Sequence, residues 1–584
     1  MSSQAGSGAT SPSSPGPSSP GPSSPGSSSP GSSSPGPSHP DPSDPGRTSS
    51  RPSARGAAAG LLGAAGLIAA LTLASRAAGF VRWLVQSWVL GSSATADAYA
   101  KANTVPNVLY EIAAGGALVG LVIPLLAAPL ASGLRAEVSR RASALLCWTV
   151  AILAPVGILV AALARPLASL LLGGGAPEAS LDLTEMFLRV FAMQIPLYGV
   201  GTVLTGVSQA HHRFAWPALA PLLSSLVVIG TYLAAGVLAG PEIDDPATVS
   251  RSIVALLAWG TTAGVIVMSL APLVGLRGLG LSFRPTLRLD PDLRRTALGL
   301  AGAGITALLA QQVAVLAVLR ATSAYPGTYN VWQYAQAAYV LPYAVLAVPL
   351  ITALAPRIAE RAAVSRDGAT PLVATSTRAV TAVGLLGAGA LVAIAPAVTG
   401  VFSARFDLPG MTTTLTVLAL GLPGFALLLH ASRTLYAVSR PRLATVPALS
   451  GWLLAAAGSV AAGLVADASG GSLLAALAAA SSAGMTLAGL ASVLTVRRAL
   501  GPQAVDRYSR TFAVALVAGA LAALAGRLVT GLVLGADVEA ASLLASVLAL
   551  LAGGICSVVV FAVVTLLGDR TVIDAVRRRG GKAS

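Results

Sequence analysis

Five charged side chains interrupt one apolar stretch of the chain, residues 73–129. They are Arg76, Arg82, Asp97, Lys101 and Glu111. A charge at bilayer depth costs at least about 2.5–3.5 kcal/mol, so it normally faces a cavity or an oppositely charged partner. A guanidinium is always charged and forms paired hydrogen bonds with phosphate oxygens, which suits arginine to a diphosphate group. The stretch therefore predicts a polar chamber in which Arg76 and Arg82 contact a phosphate-bearing ligand.

The spacing of the two arginines leaves a second interpretation open. Arg76 and Arg82 are six residues apart, which places them roughly 120° apart around a helix. They share one face only if Gly79 permits a bend. The alternative to ligand binding is that one arginine reaches the membrane interface or pairs with an acid.

The other three charges follow one helical stripe. Asp97 and Lys101 are at positions i and i+4, close enough to pair, and Glu111 returns to within about 40° of the same stripe. A buried lysine can release its proton, so coupling to protons is one interpretation. The other is that the three side chains neutralise one another and hold the helix pair together.

The elements that position these residues are membrane helices. Of the 584 residues, 54% are hydrophobic and 10% charged, whereas a soluble domain carries about 25% charged residues. Apolar runs of about 20 residues, the length that crosses a bilayer, recur from Gly60 onward. We place fourteen spans near 60–90, 96–128, 138–163, 184–209, 217–240, 250–272, 292–320, 330–360, 374–400, 411–438, 443–466, 472–497, 510–535 and 541–566. The predicted fold class is an all-α polytopic membrane protein with about 14 transmembrane helices.

Loop charge predicts how these spans are oriented. Loops after even-numbered spans are basic, as with Arg135, Arg140 and Arg141, and the opposite loops are acidic or neutral. The positive-inside rule then places the protein in the cell membrane with both termini in the cytoplasm. Because the basic residues are scattered through short loops, the net charge of +15 does not indicate nucleic-acid binding. We find no metal-ligand, nucleophile–base or phosphate-loop pattern, and expect neither enzymatic activity nor a cofactor.

The two ends of the chain are polar. Residues 1–55 are mostly Ser, Pro and Gly without an apolar run, which predicts a disordered cytoplasmic tail. This segment lacks the apolar region of a secretory signal peptide, and it is either regulatory or a tolerated extension. Residues 569–584 are predicted to form a basic cytoplasmic tail.

Two short motifs recur at nearly the same distance along the chain. Ile123-Pro124-Leu125 is echoed by Val348-Pro349-Leu350 at an offset of 225 positions (349 − 124). His212-Arg213 is echoed by Ser439-Arg440 at an offset of 227 positions (440 − 213). Similar offsets indicate duplicated six-helix halves in the same orientation, with a ligand site between them.

The first apolar hairpin also carries a family resemblance. The residues concerned are Ser75-Arg76, Gly79-Phe80, Arg82, Ala96-Asp97-Ala98, Pro106-Asn107, Gly116-Ala117 and Pro124. Their spacing resembles that of the MurJ/MviN lipid II flippases, whose motifs read approximately SRxxGFxRD, TDAF, PNLLR and EGA. Within this resemblance, Asp97 and Asn107 are further candidate substrate contacts, and we include Lys101 and Glu111 of the charged stripe among the candidates.

The resemblance implies a fold and a function. The fold is two six-helix bundles around a central cavity, residues 56–275 and 276–500, with two additional helices in 501–568. The function is the movement of an undecaprenyl-diphosphate-linked peptidoglycan precursor from the inner to the outer leaflet by alternating access. Membrane lipids and proteins of cell-wall synthesis or division are the implied partners.

The chain departs from the family pattern at several positions. Trp83 replaces the usual acid, Tyr110 and Glu111 replace a basic pair, and Gly115 replaces an acid. Five tryptophans are expected to be belt or packing residues rather than part of a cofactor site, namely Trp83, Trp88, Trp148, Trp216 and Trp259.

The second half departs further. The eighth span should carry an arginine near Gln336-Ala337 but does not, and its polar residues are uncharged. We include Gln336 among the candidate substrate contacts, and note Gln311, Gln312 and Gln333 as polar. Arg320 or Arg433 could supply the missing charge, although each is expected to be an interfacial anchor.

Three functions therefore stay open. The first is a lipid II flippase, and the second an exporter of another lipid-linked oligosaccharide or, as in MATE proteins, of a cationic drug. The two arginines argue against a cation, because like charge at the site costs affinity. The third is a MurJ-like paralogue that no longer transports and serves as a membrane scaffold.

Overall fold

The computed structural model of the chain describes residues 54–112, 119–288, 291–465, 470–535 and 541–568. The predicted tails therefore lie outside the described residues except for residues 54 and 55, and so does Gly115. By proximity of Cα atoms the chain divides into Met1–Leu61, of which residues 54–61 are described as helical, and the compact unit Leu62–Ser584. The site described below lies within the second unit.

Nineteen α-helices make up the described part of the chain. The first nine, here called the N-terminal half, are α1 Ala54–Leu90, α2 Ala94–Ile112, α3 Val119–Ala131, α4 Arg135–Ala162, α5 Ala164–Leu172, α6 Glu178–Phe191, α7 Gln194–Ala210, α8 Ala215–Ala239 and α9 Arg251–Leu276. The next eight, the C-terminal half, are α10 Pro291–Ala321, α11 Thr328–Pro342, α12 Val348–Val364, α13 Arg366–Phe402, α14 Met411–Ala419, α15 Leu422–Ala437, α16 Pro441–Val465 and α17 Gly470–Leu500. The last two are α18 Tyr508–Leu534 and α19 Leu543–Gly568.

The predicted all-α membrane fold is confirmed. Within the described residues, eleven helical segments are long and apolar enough to cross a bilayer, or twelve if α14 and α15, bent by 47°, count as one span. The other two of the fourteen predicted spans coincide with α1 and with the pair α2 and α3, which residues 113–118 separate. All backbone polar groups inside a bilayer must be satisfied internally, which is why the apolar runs fold as helices.

The two halves repeat one local structure. His212 and Ser439 both adopt left-handed backbone conformations, with φ of 57° and 58°. After each, the backbone N–H of Arg213 donates to Ser208 O at 2.8 Å and that of Arg440 to Leu435 O at 2.8 Å. The helices that follow, α8 and α16, begin and end 226 positions apart (441 − 215 and 465 − 239). The short motif repeat in the sequence thus coincides with a repeated helix end and a repeated helix.

One helix of the C-terminal half is interrupted where prolines occur. A π-helical turn, Tyr343–Ala347, joins α11 to α12 and lies between Pro342 and Pro349. Proline has no N–H to donate and its ring clashes with the carbonyl four residues earlier. Widened turns of this kind occur frequently at functional sites, and Ala344 of this turn lines the cavity described next.

Candidate functional site: a central cavity and its closed end

A cavity of about 630 Å³ lies between the two halves. The N-terminal half contributes residues of α1 and α2: Arg76, Gly79, Phe80, Arg82, Trp83, Thr104, Asn107, Val108 and Glu111. The C-terminal half contributes residues of α10, α11, α15, α16 and α17, and the π-helical turn. These include Gln311, Gln312, Trp332, Gln333, Gln336, Ala337, Phe425 and Trp452. The cavity therefore brings together side chains that are more than 300 positions apart in the sequence.

Five of the seven predicted site residues line this cavity, namely Arg76, Arg82, Asn107, Glu111 and Gln336. The other two, Asp97 and Lys101, are not among the lining residues. Arg320 and Arg433, considered as replacements for the missing arginine, are not among them either, and Ala337 occupies the wall at the position where the family resemblance predicted that charge.

The positive charge of the cavity comes from α1. One face of α1 lines the cavity, with the helical spacing of Arg76, Gly79, Phe80 and Trp83. Arg82 lies at the edge of that face and also lines the cavity. The guanidinium carbon of Arg82 lies 5.6 Å from the ring centroid of Trp83. Within the described residues neither arginine forms an ion pair, so both guanidinium groups are free to bind an anion.

The part of the cavity wall that α2 forms carries a neutral amide, Asn107, and an acidic side chain, Glu111. Asn107 Oδ1 accepts a hydrogen bond from the Tyr198 hydroxyl at 3.0 Å, which fixes the amide at the cavity edge. Glu111 is exposed and has no ion-pair partner in the part of the chain that is described. With two arginines against one glutamate, the formal charge of the lining is positive.

The C-terminal wall is neutral and aromatic. Gln333 donates through Nε2 to Thr104 Oγ1 at 3.2 Å, whereas Gln311, Gln312 and Gln336 form no hydrogen bond with other described residues. Trp83, interpreted from the sequence as a belt or packing residue, lines the cavity, as do Trp332 and Trp452. Gln311, Gln312 and Gln333 were visible in the sequence only as uncharged polar residues, because helix periodicity does not identify which face meets the other half.

Asp97 and Lys101 form a buried ion pair beyond one end of the cavity. Lys101 Nζ lies 2.6 Å from Asp97 Oδ2, and the two residues are 0% and 2% exposed. Lys101 Nζ also donates to Thr322 O of the C-terminal half at 3.2 Å. Oriented to satisfy both neighbours, the amide of Asn330 donates to Ala96 O and accepts from Asp97 N. The pair therefore connects α2 to the segment between α10 and α11.

Further hydrogen bonds join the two halves at the same end, which we call the closed end. From α1, Ser87 Oγ donates to Phe402 O at 3.0 Å and Trp88 Nε1 to Val401 O at 2.8 Å. From α11, the Tyr334 hydroxyl donates to Gly91 O at 3.0 Å. These contacts seal the cavity between the ends of α1, α11 and α13.

Gly327 makes the tightest backbone approach at the closed end and gives a first testable prediction. Its φ is 80°, and a Cβ there would collide with the carbonyl oxygen of Ser92. Gly278 has nearly the same φ, 81°, but a Cβ there would meet no atom within 4 Å. Alanine at a positive φ costs about 1 kcal/mol or more, and Gly327→Ala adds the collision to that cost.

Gly327→Ala should therefore lower the thermal unfolding temperature of the detergent-solubilised protein more than Gly278→Ala does. In a background without the two native cysteines, a cysteine at Asn330 should react faster with a thiol reagent when residue 327 is alanine. Equal effects of the two glycine substitutions would show that the closed end does not depend on this contact.

A family model described as Lipid II flippase MurJ matches residues 87–548. The chain belongs to the MurJ family. It is thus a multi-pass membrane protein of a transporter family and not an enzyme. Arg76 and Arg82 precede the matched range, so their role rests on their position in the cavity.

The similarity to individual MurJ proteins is distant. The chain is 26% identical over 304 residues to the Lipid II flippase MurJ of Burkholderia cenocepacia, covering 50% of this chain and 56% of that protein. It is 27% identical over 300 residues to the Probable lipid II flippase MurJ of Rhizobium meliloti, covering 49% and 53%. The chain spans about half the length of the curated relatives it matches.

Solved structures share the fold over a longer range. A structure described as Lipid II flippase MurJ, inward closed conformation, superposes with a TM-score of 0.68 at 18% identity, covering 87% of this chain and 99% of that one. An inward-facing multidrug resistance MATE family transporter of the MOP superfamily superposes with a TM-score of 0.59 at 14% identity, covering 73% and 95%. The MurJ/MATE fold predicted from the hairpin motifs is confirmed.

Proposed function

We propose that this MurJ-family chain moves lipid II, an undecaprenyl-diphosphate-linked peptidoglycan precursor, across the cytoplasmic membrane by alternating access. The observation that supports it is the cavity between the halves, in which two guanidinium groups without ion-pair partners among the described residues, Arg76 and Arg82, face one chamber. Paired N–H donors in a fixed planar fork match the oxygens of a diphosphate.

The charge of the lining favours an anionic cargo over a cationic one. Arg76 and Arg82 outweigh Glu111, and a cation would be repelled at the site. Arg76 is exposed and Arg82 is half-buried, so both guanidinium groups can pair with an anionic ligand that enters the cavity. Cargo binding is therefore more favourable for a group with two negative phosphates than for a drug cation.

Alternating access requires the closed end to open while the opposite end shuts. The hydrogen bonds of Ser87, Trp88 and Tyr334 are among the contacts that would break. We propose, from the loop charges, that both termini lie in the cytoplasm, so that the closed end faces outward. A topology reporter fused after residue 244 should then report the extracytoplasmic side and one after residue 288 the cytoplasm. A cytoplasmic signal at 244 would invert the proposed orientation.

Complementation tests the proposed function. The host's essential lipid II flippase is depleted, the full chain is expressed, and growth and lipid II exposure on the outer face are scored. Rescue of both is the expected result. Membrane-located protein without rescue would contradict it.

One observation favours a second candidate, export of a different lipid-linked oligosaccharide. Ala337 lines the cavity where the family resemblance predicts an arginine, so the C-terminal wall offers no charge to the cargo. Outer-leaflet exposure of a different lipid-linked oligosaccharide, in the absence of lipid II exposure, is the outcome that would select this candidate. Binding to proteins of cell-wall synthesis is part of the proposal and is testable by co-purification from the same strain.

A further inference from the structure

The cavity wall that the C-terminal half forms contains amide groups without hydrogen-bond partners among the described residues. Gln312 is 4% exposed, yet its side chain forms no hydrogen bond with any described residue, and it lines the cavity. Gln311 and Gln336 line the same wall and also lack such bonds. Buried polar groups are almost always hydrogen-bonded, so the Gln312 amide is placed to bond with water or with a ligand in the cavity. Gln311 and Gln336 are partly exposed, and their amides are open to the same partners.

Aromatic rings border these amides. Trp332 is 7% exposed and lines the cavity. Trp452 and Phe425 line it as well and meet edge to face with ring centroids 6.4 Å apart. The face of an aromatic ring carries negative electron density, and the C–H bonds on one face of a pyranose ring pack against it.

The combination of amides and aromatic rings matches a sugar. An amide offers two N–H donors and a carbonyl acceptor, which complement the hydroxyl groups and N-acetyl groups of an amino sugar. Binding pockets that recognise neutral ligands are lined by aromatic side chains with a few placed polar groups. No charged side chain is among the residues that α10, α11, α16 and α17 contribute to the described lining.

We propose that the neutral wall formed by Gln312, Gln336, Trp332 and Trp452 binds the glycan of the cargo while Arg76 and Arg82 bind its diphosphate. This inference rests on the proposed function and adds the orientation of the cargo across the cavity. It also accounts for the absence of an arginine near Ala337, because a cation there would face sugar hydroxyls rather than phosphate.

The test measures binding of two lipids to the full-length protein in lipid nanodiscs. One probe is undecaprenyl diphosphate, and the other is the same lipid carrying the amino-sugar disaccharide. The wild type should bind the glycosylated lipid more tightly. The double variant Gln312→Leu with Gln336→Leu should weaken that binding about ten-fold or more and leave undecaprenyl diphosphate within about two-fold.

Three further variants make the result specific. Trp452→Leu should reduce binding of the glycosylated lipid selectively, whereas Arg76→Ala should weaken both lipids. Gln503→Leu, an exposed glutamine outside the cavity, should change neither. Retained binding of undecaprenyl diphosphate shows that the leucine variants are folded.

Distinct outcomes separate this proposal from the proposed function. If the wild type binds both lipids equally, or if the glutamine double variant weakens both to the same extent, the glycan assignment is overturned while diphosphate binding stands. If the wild type binds neither lipid, both the glycan assignment and the proposed function fail.

Discussion

Arg76→Ala should abolish rescue of a flippase-depleted host while the protein still accumulates in the membrane. The guanidinium lines the cavity and has no ion-pair partner in the described part of the chain. A hydrogen bond to a charged group contributes about 1.5–3 kcal/mol, so its loss should weaken diphosphate binding roughly ten- to a hundred-fold. Growth under depletion and outer-leaflet exposure of lipid II are the measurements.

Two matched substitutions sharpen this test. Arg76→Lys should recover only part of the activity, because an ammonium keeps the charge but loses the planar fork. Arg433→Ala removes an arginine that lies in an apolar helix but not in the cavity wall, and it should leave rescue intact. If Arg76→Ala and Arg433→Ala behave alike, Arg76 has no special role in cargo binding.

The structure also removes one alternative for Arg76. A structural arginine would need an acid, and Asp97 was the acid nearest in the sequence. Asp97 instead pairs with Lys101 at 2.6 Å, as their i, i+4 spacing allows. A double change of Arg76 and Asp97 is therefore not expected to restore activity.

The sequence predicted the fold and the charged wall because both follow from local patterns. Apolar runs of bilayer length can fold only as helices in a membrane. Charges in such runs must avoid lipid, which is enough to place Arg76, Arg82 and Glu111 next to a cavity. The i, i+4 rule was enough to pair Asp97 with Lys101.

What the sequence could not show is which surfaces of the two halves meet. Lys101 donates to Thr322, 221 positions away, and no periodicity within either helix indicates that contact. Trp83 was expected to be a belt or packing residue, but it lines the cavity, as does Trp332. The sequence does not distinguish a tryptophan that faces a cavity from one that faces lipid. Of the residues that form the neutral wall, only Gln336 was a predicted contact, since uncharged glutamines are tolerated in many membrane environments.

The ion pair at the closed end leads to the other large expected effect. Lys101→Met should destabilise the protein by about 3–5 kcal/mol, because Asp97 is then left buried without a countercharge. Lys101 is the largest favourable influence on the charged carboxylate, and the backbone amides of Gly327 and Tyr329 add a smaller one, so the loss of Lys101 is only partly compensated. Lys101→Met alone should lower the thermal unfolding temperature sharply and reduce the amount of protein in the membrane.

The double variant Asp97→Asn with Lys101→Met should recover most of the lost stability. It removes both charges together, and replacing a buried ion pair by neutral groups is often neutral or stabilising. The two changes should thus be strongly non-additive, with a coupling within the 0.5–3 kcal/mol range of residues in direct contact. Thermal unfolding of the wild type, both single variants and the double variant in one detergent gives this coupling.

Activity of the double variant then separates the two interpretations of the pair. If Asp97 and Lys101 only hold α2 against the segment at Thr322, the stabilised double variant should rescue growth as the wild type does. If one of them exchanges a proton as the closed end opens, the double variant should be stable but unable to rescue. The contact geometry, a fully buried pair with a further bond across the halves, leads us to expect rescue. Additive stability losses would instead show that the pair does not act as a unit.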